Sequence, residues 1–100
     1  MRFVINGLKY DTENMEKVAN VKKWYESRSQ LIKAIYNNAK VGTIHDCELW
    51  KSKKGNWLLI HTEDYATKVG EAITEEEAKS LLMRYAPDDY EKRFEEIPEA

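Results

Sequence analysis

The chain has little of what usually staples, anchors or activates a small protein. It holds one cysteine, Cys47, two prolines and four glycines. A lone cysteine allows no internal disulfide, so the common brace of small secreted domains is missing and a reducing, cytoplasmic setting is expected. The longest apolar run is Trp57-Leu58-Leu59-Ile60, far short of the roughly 18 residues a membrane-spanning helix requires. The opening Met1-Arg2-Phe3-Val4-Ile5-Asn6-Gly7 breaks off too early for a secretion signal. The few glycines are scattered, and none forms a loop that could cradle a phosphate. Charge of one sign is also not in excess, with 16 basic against 18 acidic side chains and a net charge of −2.

What is present suffices for one domain spanning residues 1–100. A hydrophobic fraction of 42% with 11% aromatics builds a single core, and mixed charge of this density does not describe a disordered chain. The charge is unevenly placed. Residues 1–60 carry a net +5 and residues 61–100 a net −7, so the halves either attract each other within the fold or offer complementary surfaces to a partner.

Local patterns predict an α+β domain on an antiparallel sheet built from hairpins, with one helix inserted before the central hairpin and a helical pair at the C-terminus. Asn6-Gly7 between Phe3-Val4-Ile5 and Leu8-Lys9-Tyr10 marks a type I′ hairpin, because both residues tolerate positive φ. Met15 to Tyr25 reads two ways: Met15, Val18, Val21 or Lys22, and Tyr25 fit a helical stripe, while an extended chain would place Ala19, Val21 and Tyr25 on one face. Ser27 to Gln30 followed by Leu31, Ala34, Ile35 and Ala39, with Gly42 as a stop, predicts a helix near residues 28–40. Ile44 to Ser52 and Trp57 to Thr62 flank Lys53-Lys54-Gly55-Asn56 as the central hairpin. Pairing Trp50 with Leu59 and Leu49 with Ile60 would set Trp50, Trp57 and Leu59 on one face and Leu49, Leu58 and Ile60 on the other. Both faces then need cover. Glu63 to Ala72 is polar with few signals. Thr74-Glu75-Glu76-Glu77 is a capping box opening a helix that ends near Ala86, and Pro87 starts another with Tyr90, Phe94 and Ile97 as its stripe and Pro98 as its stop.

The residue types for chemistry are sparse. His45, Cys47 and His61 are the only soft metal ligands, and in the register above His61 falls opposite Glu48, on the other face from His45 and Cys47, so no metal is expected. Cys47, His45 and Asp46 supply nucleophile, base and orienting group in name, but neighbours two apart on a strand are poorly placed for proton transfer. Glu75, Glu76, Glu77, Glu95 and Glu96 are accounted for by helix capping and solvation. The sequence therefore predicts no catalytic residue, no cofactor and no enzyme. Between residues 17 and 54, nine lysines and arginines are interleaved with Trp24, Tyr25 and Trp50, with Trp57 close behind. Basic and aromatic residues in such alternation suit stacking and phosphate contact, which makes nucleic-acid binding the alternative function.

Three stretches, Ile5-Asn6-Gly7-Leu8-Lys9-Tyr10-Asp11-Thr12, Glu48 through His61, and Ile73-Thr74-Glu75-Glu76-Glu77-Ala78, together resemble a group of small uncharacterised proteins of Firmicutes, their phages and integrated elements. The resemblance covers less than a third of the chain and contains no catalytic motif. It implies a shared fold with a central hairpin and a C-terminal helix, a mobile-element origin, and an extended Val18 to Tyr25. Here Thr62-Glu63-Asp64-Tyr65 stands where that group has a glycine-rich turn, and the helix near residues 28–40 reads as an insertion.

The expected function is a non-enzymatic protein-interaction module of a phage or mobile element that binds or inhibits a host or defence protein through one face of its sheet. Trp24, Tyr25, Trp50, Trp57, Lys53 and Lys54 are the candidate contact residues.

Overall fold

The computed structural model describes residues 1–26, 41–63 and 66–100. The helix expected near residues 28–40 lies outside the described residues. Strands β1 (Arg2–Ile5) and β2 (Leu8–Asp11) form a two-stranded hairpin. Its turn has Asn6 at φ 51° and Gly7 at φ 77°, the left-handed pair that a type I′ turn needs. A single 3-10 turn, Thr12–Asn14, follows, begun by the Asp11 carboxylate accepting the Glu13 amide at 3.1 Å.

Strands β3 (Met15–Glu26), β4 (Gly42–Ser52), β5 (Trp57–Glu63) and β6 (Thr67–Ile73) make an antiparallel sheet in sequence order. The extended alternative for Met15 to Tyr25 is the one adopted. Val21 and Ala19 meet Cys47 and Leu49 of β4 in register, an apolar row that a helix would have broken up. Thr67–Ile73 is a strand that the polar reading of Glu63 to Ala72 overlooked.

The sheet register corrects the expected one. Leu49 pairs with Leu59, Trp50 with Leu58 and Cys47 with His61, one residue away from the pairing of Trp50 with Leu59. The cause is the loop. Gly55 N–H donates to Ser52 O at 3.0 Å and Ser52 N–H to Asn56 O at 2.8 Å, so Lys53-Lys54-Gly55 is a three-residue loop with Gly55 at φ 90° in the bulge position. Because side chains alternate, a slip of one residue exchanges the partners on each face. Leu49, Trp57 and Leu59 share one face, and Trp50, Leu58 and Ile60 the other.

Each face has its own cover. Helix α1 (Glu75–Tyr85) and helix α2 (Pro87–Arg93) lie on the first face, where Val21, Leu49, Trp57 and Leu59 pack with Ala78, Leu82 and Tyr90. Thr74 caps α1, its hydroxyl accepting the Glu77 amide at 3.2 Å, and three glutamates in the first turn with Arg84 in the last suit the helix dipole. Helix α2 ends at Arg93, before Phe94 and Ile97. Both still pack on the core, and Glu91 holds the tail by accepting the Ile97 amide at 2.9 Å.

The β1–β2 hairpin covers the second face, where Tyr10, Leu58 and Ile60 pack with Phe3, Ile5, Met15, Trp50 and Ala72. Gly70 of β6 lets it settle, because a Cβ there would lie 2.7 Å from two atoms of the Phe3 ring. Leu49, Leu58, Leu59 and Leu82 are fully inaccessible, each such side chain contributing about 1.5–3 kcal/mol on burial. On the second face the hairpin covers the end of the sheet near the β4–β5 loop. At the other end, Lys22–Glu26 of β3 pairs with Gly42–Asp46 of β4, beyond the last β4–β5 pair at Cys47 and His61, as a projecting two-stranded arm.

Candidate functional site

The arm carries different chemistry on its two faces. On the helix face a polar cluster gathers around Lys23 and Tyr25. The Lys23 ammonium donates to Glu71 Oε1 at 2.9 Å and to Glu77 Oε2 at 2.9 Å, tying β3 to β6 and to the first turn of α1. The Tyr25 hydroxyl donates to Glu71 Oε1 at 3.1 Å. Its ring stacks on His61 at 4.2 Å between centroids and meets His45 edge-on at 5.4 Å.

Electrostatics here favour fixed protons. Burial would lower the Lys23 pKa, but its hydrogen bonds to Glu77 and Glu71 and their negative charge outweigh that and raise it. Burial, together with the Glu71 carboxylate, holds the Tyr25 phenol well above the ordinary tyrosine value. Burial also pushes the Cys47 thiol up, against the opposing effect of its hydrogen bond with Tyr25. A thiol kept protonated is a weak nucleophile. Cys47 instead donates to the His45 carbonyl at 3.4 Å.

The corrected register brings His45, Cys47 and His61 to one face, where the expected pairing had separated them. Among the described residues no three histidine, cysteine or carboxylate side chains converge at ligand spacing. The Tyr25 ring packs against both imidazoles, and His61 Nε2 lies 3.2 Å from Glu63 Oε1. His61 Nδ1 is buried without a hydrogen-bond partner.

On the opposite face of the arm, two large apolar side chains are exposed. Trp24 and Ile44 are cross-strand partners, 46% and 63% exposed, on the face that the β1–β2 hairpin covers only at its far end. The Trp24 indole lies across Gly42, whose missing side chain leaves room for it, so the ring is held against the sheet. Next along the arm Lys22 pairs with Asp46 at 3.7 Å. A cleft of about 490 Å³ adjoins them, with Asn20, Glu48, Thr62 and Lys68 also in its lining.

The six expected contact residues scatter. Trp24 is on the open face of the arm, and Tyr25 is half-buried in the polar cluster behind it. Trp50 is half-buried under the hairpin and donates through Nε1 to Glu48 at 3.1 Å. Trp57 is 2% exposed in the helix-face core, so it offers nothing to a partner. Lys53 and Lys54 are exposed in the β4–β5 loop, at the other end of the sheet from Trp24. Ile44 is not among the expected contacts, although it is exposed beside Trp24. Its parity with Trp24 follows from the β3–β4 register, which the sequence leaves open because residues 27–41 separate the strands.

Some of the basic residues face carboxylates. Lys17 pairs with Glu48, Lys22 with Asp46, and Lys23 with Glu71 and Glu77. The chain matches no protein-family model, no curated protein and no solved structure, so the arm and the cluster stand on their own geometry.

Proposed function

We propose that the chain is a non-enzymatic protein-interaction module of a phage or mobile element, binding a host or defence protein through the open face of the β3–β4 arm. The observation that carries this reading is the Trp24–Ile44 pair. Two large apolar side chains stand side by side on a surface, one of them held in place over Gly42. A preset tryptophan loses little entropy on binding and is among the commonest anchors of protein interfaces. Binding without catalysis fits the polar cluster, where burial keeps the Cys47 thiol protonated and burial with the Glu71 carboxylate does the same for the Tyr25 phenol. The resemblance to proteins of phages and integrated elements supplies the setting. Protein is favoured over nucleic acid because Lys17 and Lys23 already face carboxylates.

Affinity capture with the tagged chain from a host lysate tests the reading. Protein retained by the wild type, insensitive to nuclease and lost with Trp24→Ala and with Ile44→Lys, is the expected result. Capture unchanged by both substitutions, or abolished by nuclease, overturns it.

A further inference from the structure

The open face of the arm has a charge pattern that complements itself. Lys22–Asp46 and Trp24–Ile44 are successive pairs on the same face, about 7 Å apart along the strands. The Lys22–Asp46 contact within the chain is loose, 3.7 Å long, with the two side chains 56% and 91% exposed. Both charges are free to meet others. A patch with one cation on β3, one anion on β4 and an apolar pair beside them matches its own image under two-fold rotation. The apolar pairs then stack, and Lys22 of each copy faces Asp46 of the other.

We infer that this face is covered, in the free protein, by a second copy of the chain. The inference rests on the reading of the arm as a protein-binding surface and names its first occupant. Packing face to face is favoured over pairing through the β3 edge, since that strand carries a bulge between Lys17 and Ala19 and lysines at 17, 22 and 23, all of which oppose strand addition.

The test is sedimentation equilibrium of the chain from low micromolar to near-millimolar concentration. The wild type should form a dimer that dissociates on dilution. Lys22→Glu makes the patch doubly acidic and Asp46→Lys makes it doubly basic, so each alone should dimerise roughly tenfold or more weakly, through like-charge contact. Mixed in equal amounts, the two variants should recover the dimer as a heterodimer. Ile44→Glu should be monomeric and unrescued by either. Both charged positions are exposed, and circular dichroism confirms that folding is intact. A wild type that stays monomeric at every concentration overturns the inference, as does a mixture no more associated than its components. Capture of a host protein that depends on Trp24 but comes with a monomeric wild type overturns self-association alone and leaves the interaction reading in place.

Discussion

Gly70→Ala is the sharpest probe of how the hairpin is attached to the sheet. The added Cβ would stand 2.7 Å from Cγ and Cδ1 of Phe3 and 3.1 Å from Cδ2, whereas carbon atoms rest at about 3.5–4.0 Å. The Phe3 ring must retreat by about 1 Å, and the β1–β2 hairpin must move with it or lose the contact. Overpacking of this kind costs about 1–3 kcal/mol. Replacing glycine inside a strand returns about 0.5–1 kcal/mol of backbone entropy, leaving a net loss of about 1 kcal/mol at the middle of the two ranges. In a domain of this size each kcal/mol lowers Tm by roughly 4–8 °C. Denaturant melts of Gly70→Ala, Phe3→Ala and the double variant read the effect directly. Without the ring, the methyl group added at position 70 meets nothing, so the double variant should be more stable than the sum of the single losses by about 1 kcal/mol. A Gly70→Ala variant as stable as the wild type, or losses additive within about 0.5 kcal/mol, would show that Phe3 does not seat on Gly70.

Two further outcomes follow from burial and from the polar cluster. Trp57→Ala should cost about 3–5 kcal/mol and Trp24→Ala less than about 1 kcal/mol; equal losses in urea melts would contradict the placement of Trp57 in the core and Trp24 on the arm. Lys23 and Tyr25 both have pKa values raised by the fold. Protons that the native state holds more tightly than the unfolded chain stabilise it fully below about pH 10, and that contribution fades as pH rises further. Stability should therefore fall above about pH 10, and less steeply in a Lys23→Met, Tyr25→Phe double variant. Equal slopes for the two proteins would remove the cluster as the cause.

Elements signalled by local chemistry were legible in the sequence, and features that depend on counting across a loop were not. Asn6-Gly7 and Thr74 with Glu77 announce a turn and a cap through their own side chains and backbone preferences, and the structure has both. The β4–β5 register depended on whether the loop held three residues or four, a difference the composition Lys-Lys-Gly-Asn leaves open. That single residue decided whether His61 faced Cys47 or Glu48. Strand β6 was hidden because Gly70 and Glu71 weaken its strand character. Its alternation of Val69, Glu71 and Ile73 is nonetheless present, and Gly70 makes sense only beside Phe3, 67 positions earlier in the chain. The arm was half legible: Trp24 stood out by residue type, while Ile44 needed a cross-strand partner to acquire meaning.

Strands joined in sequence order also set a timetable for assembly. The β1–β2 turn holds two residues and the β4–β5 loop three, so closing either costs little chain entropy, whereas 15 residues lie between β3 and β4 and their closure costs more. Nearest-neighbour pairings of this kind form early and fast. The two tight hairpins are then ready before β3 docks, and β6 can zip onto β5 as soon as it leaves the ribosome. Lys23 can reach Glu71 only once β6 has been synthesised and Glu77 only once α1 has begun, so its ion pairs wait for the C-terminal part of the chain and then hold β3 in the sheet.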